Sequence, residues 1–118
     1  MSLLKIIPKI IYEDVQIGVK LFAALGFETK YSEDGFYIMA RDGVTIYLVA
    51  SEEDFHVHDR PEMRIDTDDI EGFYAEVSSN HPEILHPNLK GIKNQPWGLK
   101  EFAVHDETSV CIIIQQPI

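Results

Sequence analysis

Apolar residues crowd the start of the chain from Leu3 to Tyr12, an isoleucine-rich run that reads as a strand. It ends beside Asp14, whose carboxylate suits the start of a helix because it can accept from an orphan backbone N–H. Val15, Val19, Phe22 and Leu25 then recur at helical spacing and Gly26 offers a left-handed stop, so the pattern predicts a helix over Val15–Leu25. Three strand-like stretches follow, Glu28–Ser32, Phe36–Arg41 and Val44–Ala50, divided by the turn sequences Glu33-Asp34-Gly35 and Asp42-Gly43. The order is βαβββ.

After a polar connection, Ser51–Pro61, the pattern starts again. Met63–Thr67 reads as a strand, and Asp69 caps a helix marked by Ile70, Phe73, Tyr74 and Val77. A stretch containing Pro, Asn and Gly, His86–Gly98, leads to a strand over Leu99–His105, a turn at Asp106–Ser109 and a last strand over Val110–Gln115. The residues repeat as well as the pattern: Asp14 and Asp69 both open helices, and Arg41-Asp42-Gly43-Val44 returns as His105-Asp106 followed by Val110 after a longer turn. The expectation is a single α+β domain of two tandem βαβββ modules, residues 1–50 and 62–118, joined by residues 51–61. One helix covers one face of each four-strand sheet, so the other face is left to pair with a second sheet, within the chain or between two chains, and to form a pocket.

Composition narrows the setting. The chain has 118 residues, 45% hydrophobic and 25% charged, enough for one real core. No basic region followed by a continuous apolar stretch opens it, and no run approaches the roughly 20 apolar residues of a spanning helix. The single cysteine, Cys111, reads as a buried strand thiol within Val110-Cys111-Ile112-Ile113, and a reducing cytoplasm is the expected location. A net charge of −10 disfavours nucleic acid and anionic membrane surfaces as partners. The acids keep such a chain dispersed, or they attract a cationic ligand; charge alone does not choose.

Three segments carry a family likeness: Leu25-Gly26-Phe27, Arg41-Asp42-Gly43-Val44, and above all the run Gln95-Pro96-Trp97-Gly98-Leu99-Lys100-Glu101-Phe102-Ala103-Val104-His105-Asp106. The chain resembles the bleomycin resistance proteins, of the vicinal oxygen chelate superfamily that also holds glyoxalase I and extradiol dioxygenases. The resemblance implies the glyoxalase/bleomycin-resistance fold and a homodimer with exchanged strands and two ligand grooves along the subunit interface. One departure stands out. The turn after Asp106 usually carries a glycine and here reads Glu107-Thr108-Ser109, where a left-handed backbone is poorly tolerated.

Catalytic members of that superfamily bind a divalent metal through His and Glu on the first and last strands of each half. By position those places fall near Ile7, Tyr47, Glu62 or Met63, and Ile113, which supply at most one carboxylate. A one-residue slip brings in Ile6, Pro8, Ile46, Leu48, Arg64, Ile112 or Ile114 and no ligand. The expectation is therefore no metal and no cofactor. His56-Val57-His58-Asp59 places two imidazoles on one side of an extended segment, a weak candidate for zinc or nickel that reads more simply as an exposed connection. His81 and His86 read as loop surface residues, and His105 as a partner of Asp106. No nucleophile stands in a glycine-rich elbow, and Gly35, Gly43 and Gly98 are spaced as turn glycines rather than as a phosphate loop.

The resistance-like branch sequesters its drug by stacking aromatic rings on a flat tail and by meeting a cationic end with acids. Trp97 and Phe36 match its stacking positions, Phe55 is a third candidate ring, and Tyr47 and Met63 are expected to line the groove. Glu101 lies within the longest motif and is the candidate acid, with a surface strand position as the simpler reading; Trp97 read as simply is a plug beneath a loop. Glu52-Glu53-Asp54 reads as a solvated turn. Three functions remain: a metal-free binding protein, favoured; a metal-dependent lyase or dioxygenase; and a small-molecule sensor or accessory domain.

Overall fold

A computed structural model of the chain describes residues 1–52 and 60–118. The chain divides into two compact units, Met1–Asp54 and Phe55–Ile118. Among the described residues no helix is long and apolar enough to cross a membrane.

The first unit runs β1 (Lys9–Tyr12), α1 (Val15–Ala24), β2 (Glu28–Glu33), β3 (Phe36–Arg41) and β4 (Val44–Ala50). Its sheet has the order β1-β4-β3-β2, with β1 parallel to β4 and the other pairs antiparallel. The expected strand over Leu3–Tyr12 is shorter in fact. Register pairs Lys9 with Tyr47, so Pro8 falls at the next rung, where it has no N–H to give; Leu3, Leu4 and Ile6 remain outside the ladder and exposed. Asp14 caps α1 as expected, accepting from the Gln16 N–H at 3.0 Å. At the other end Gly26 takes φ 86°, and Arg41 Nη1 donates to the Leu25 carbonyl at 2.8 Å, satisfying a helix-end acceptor. Val15, Leu21, Phe22 and Leu25 are buried with Ile10, Tyr12, Met39, Ile46 and Leu48, which forms the first core.

The second unit runs β5 (Glu62–Asp66), α2 (Ile70–Asn80), a single 3-10 turn at Pro82–Ile84, β6 (Lys93–Asn94), β7 (Leu99–His105) and β8 (Cys111–Pro117). The sheet order β5-β8-β7-β6 repeats that of the first unit, again with the first strand parallel to the last. Asp69 accepts from the Gly72 N–H at 3.0 Å, the second helix cap expected. The strand β6 is only two residues long. Further along, the segment after the 3-10 turn serves the edge of β7: the His86 N–H donates to the Ala103 carbonyl, and the Ala103 N–H to that of Leu89. Prolines 82 and 87 interrupt any alternation there, which hides this edge in the sequence.

Alternation decides which residues of the second sheet meet α2. Met63, Ile65, Ile112, Ile114, Phe102 and Val104 share one face by register. Phe102 meets Tyr74 edge-on at 5.1 Å between ring centroids and Phe73 at 6.2 Å, so this is the helix-covered face. Glu62, Arg64, Asp66, Cys111, Ile113, Gln115, Glu101, Ala103 and His105 take the opposite face. Cys111 is consequently half-buried rather than buried as expected, since it is Ile112 and Ile114 that point at the helix. Desolvation, and next the nearby Glu62 charge, push its thiol up.

Ser109 resolves the departure at the last turn. It adopts φ 71° without being a glycine. Asp106 Oδ1 holds the loop around it, accepting from the Thr108 N–H at 2.8 Å, the Thr108 hydroxyl at 2.7 Å and the Val110 N–H at 3.2 Å. Such bonding of an aspartate to following backbone groups offsets the strain of a left-handed serine.

Candidate functional site

Trp97 sits at the tip of a tight turn, Gln95-Pro96-Trp97-Gly98, built by its flanking residues. The Gln95 N–H donates to the Leu99 carbonyl at 2.7 Å, and the Gly98 N–H returns to the Gln95 carbonyl at 3.1 Å. Gly98 takes φ 89°, and a Cβ there would meet nothing within 4 Å, so it is the backbone conformation and not space that calls for glycine. The ring is not a plug beneath the loop: Trp97 is 60% exposed.

Its indole N–H nevertheless points inward, donating at 3.2 Å to Oε2 of Glu101. Glu101 is only 1% exposed and is no surface residue, because β7 carries it on the face shared with β5 and β8 and neighbouring side chains close over it. Arg64 Nη1 donates to the same Oε2 at 2.7 Å, and Gln95 Nε2 to Oε1 at 3.3 Å. Arg64 Nη1 also reaches Gln115 Oε1 at 3.0 Å, and Gln115 Nε2 donates to Asp66 Oδ1 at 2.7 Å. A continuous polar chain thus runs Trp97, Glu101, Arg64, Gln115, Asp66 across three strands. A buried carboxylate demands such donors, since desolvating it without them is costly.

At the far end of the same face the rings of His86 and His105 lie 4.6 Å apart. Burial, and then the proximity of His86, hold His105 below the ordinary histidine range, partly countered by the charge of Asp106. His86 Nδ1 accepts from the Asn88 N–H at 3.1 Å, so this loop histidine has a defined place.

In the first unit, register sets Phe36 against Val49 and Ile38 against Tyr47, all on the face away from the buried Ile46 and Leu48. Phe36 and Tyr47 meet edge-on at 5.2 Å and 85°, and Tyr31 joins Phe36 at 6.1 Å and 61°. The Tyr31 hydroxyl donates to Glu33, a bond that raises its pKa. Each edge-to-face pair contributes about 0.5–1.5 kcal/mol beyond the area it buries.

The structure therefore joins Phe36 with Tyr47, and Trp97 with Glu101. Met63 lies with Ile112 on the helix-covered face, and the neighbour that reaches the Glu101 side is Arg64. Phe55, His56, His58 and Asp59 fall outside the described residues. Tyr31 and Gln115 were not singled out by sequence, and Gln95 and Arg64 were named there without a binding role; period-two alternation from Ile38 and from Glu101 points to Tyr31, Arg64 and Gln115, once the strand register is known.

Among the described residues no three His, Cys, Asp or Glu side chains gather to hold an ion. Of the positions that the resemblance marks for metal ligands, Ile7, Tyr47 and Ile113 carry no imidazole or carboxylate, and Glu62 is at most one carboxylate where several donors are needed. These residues do not fit the superfamily's divalent-metal site.

The two repeated units, each a mixed four-strand sheet with one helix, define an α+β protein with aromatic and polar residues on the sheet faces away from the helices. The chain has the fold of the bleomycin resistance proteins. It is similar in structure to a bleomycin-binding protein complexed with bleomycin, with TM-score 0.80 and 18% identity over 97% of this chain and 98% of that one. A bleomycin-binding protein from bleomycin-producing Streptomyces verticillus, complexed with copper(II)-bleomycin, gives TM-score 0.74 and 20% identity over 97% and 96% of the two chains. A glyoxalase/bleomycin resistance protein/dioxygenase from Alicyclobacillus acidocaldarius gives TM-score 0.74 and 12% identity over 96% and 90%. No family model and no curated protein matches the sequence.

Proposed function

We propose that this chain is a bleomycin resistance-like member of the vicinal oxygen chelate superfamily, which sequesters a flat, cationic small molecule in a metal-free groove at a homodimer interface in the cytoplasm. The observation that carries this reading is the Trp97 ring, 60% exposed yet fastened by its N–H to a buried carboxylate. An exposed indole held in one orientation offers a stacking surface at little entropic cost. This reading assigns as further rings the Phe36–Tyr47 pair of the first unit and Phe55, which lies outside the described residues, and the net charge of −10 favours a cationic ligand. The exposed apolar segment at Leu3, Leu4 and Ile6 supports strand exchange, because a second copy would remove that surface from water. The structural neighbours named for bleomycin make it the first ligand to try.

Trp97 is the only tryptophan, so its fluorescence reports on this site alone. Titration with bleomycin is expected to give a saturable change with affinity of order micromolar, about 8 kcal/mol, and Trp97→Ala is expected to weaken binding measured by calorimetry. A flat titration, or a Trp97→Ala chain that binds as tightly as the parent, overturns the reading.

A further inference from the structure

We infer that Glu101 is a positioning residue, which fixes the Trp97 ring for its ligand and does not itself meet the ligand's cation. The inference rests on the proposed stacking role of Trp97. Three observations on one carboxylate support it. First, Glu101 is 1% exposed, so a ligand's cationic group has no path to its oxygens without displacing a neighbour. Second, both oxygens are engaged: Oε2 accepts from Arg64 and Trp97, and Oε1 from Gln95. Third, the donors include both residues that bracket Pro96, so the same carboxylate grips the turn at Gln95 and at Trp97 and sets the direction of the ring.

Charge leads to the same assignment. The Arg64 guanidinium, 2.7 Å away, already neutralises Glu101, and an incoming cation would find a pair with little net field. The carboxylate still accepts from the indole, and a hydrogen bond to a charged acceptor is about twice as strong as a neutral one. Trp97 has few packing contacts to hold it, being mostly exposed, so this bond is what separates a fixed ring from one that samples several rotamers.

Two replacements distinguish positioning from direct contact. Glu101→Gln keeps an acceptor and removes the charge, whereas Glu101→Leu removes both. A positioning residue is rescued by the first; a direct partner of the cation fails equally in both. With one tryptophan, the indole N–H gives a single resonance in a nitrogen–proton correlation spectrum. Glu101→Leu is expected to move that resonance to the position of a water-exposed indole and to weaken bleomycin binding about tenfold. Glu101→Gln is expected to keep the affinity within about threefold and to leave its dependence on salt unchanged. An unmoved indole resonance in Glu101→Leu, or an affinity loss in Glu101→Gln equal to that in Glu101→Leu, overturns the inference. Should Glu101→Leu not fold, relaxation of the indole nitrogen in the unaltered protein decides: an order parameter near 0.85 is expected, roughly that of rigid backbone, and one below about 0.6 overturns the assignment. If the unaltered protein fails to bind bleomycin, the proposed function falls, and the indole resonance and its relaxation alone decide whether Glu101 fixes the ring.

Discussion

Removing Arg64 should harm the protein more than neutralising Glu101, although the two form one ion pair. The reason is unequal burial, with the Arg64 side chain 43% exposed and that of Glu101 2% exposed. Arg64→Met strands a carboxylate that water cannot reach. Losing one partner of a buried pair costs about 3–5 kcal/mol, but here the Trp97 and Gln95 N–H groups still donate, so the expected loss is about 2–3 kcal/mol. Glu101→Gln leaves a guanidinium that water solvates and a carboxamide oxygen that still accepts, for an expected loss of about 1 kcal/mol. Urea unfolding followed by circular dichroism measures both. With slopes of about 1–3 kcal/mol/M for a small protein, the Arg64→Met midpoint should fall by about 0.7–3 M with the slope unchanged. The combined variant should lose less than the sum, because each change removes the same bond. If Glu101→Gln proves the more damaging change, or Arg64→Met costs under about 0.5 kcal/mol, the electrostatic reasoning on this face is wrong.

Trp97→Ala should lower the unfolding free energy by about 1 kcal/mol while weakening ligand binding, since the ring is mostly exposed but its N–H is one of the donors to the buried Glu101; a loss above about 3 kcal/mol would return Trp97 to the core. Ser109→Gly should raise stability by up to about 1 kcal/mol, because relief of a left-handed serine, roughly 1–2 kcal/mol, exceeds the added freedom of glycine in the unfolded chain. A lowered midpoint there would show that the Asp106 loop already removes the strain. His105 gives a pH dependence of defined sign. Its folded pKa lies below the ordinary 6.5, so the unfolded chain binds more protons in that interval, and the stability present above it is lost as pH falls through the folded value. Comparing midpoints at about pH 7.5 and about pH 5.5 should show a smaller acid loss in His105→Gln than in the parent, with His86 and Asp106 left in place; equal losses would refute the assignment.

The repeated βαβββ order, both helix caps and the limits of β3, β4 and β7 were legible in the sequence, because period-two and period-3.6 patterns and capping aspartates act locally. Leu3–Ile7 shows where local reading stops: the segment is apolar enough for a strand, but Pro8 interrupts the ladder that β4 offers. The edge of β7 was hidden for a similar reason, since a loop broken by Pro82 and Pro87 can supply backbone partners without any strand pattern. Trp97 and Phe36 stand out by residue type and by resemblance. What Glu101 does could not be read that way, because a glutamate in a strand looks the same whether its face is bare or closed over by Arg64 of β5 and by Gln95 and Trp97 of the turn before β7. Sequence determines what each residue can donate, accept or bury; only the strand register decides which of those groups meet, and here it turns a nominally exposed acid into the buried anchor of an exposed ring.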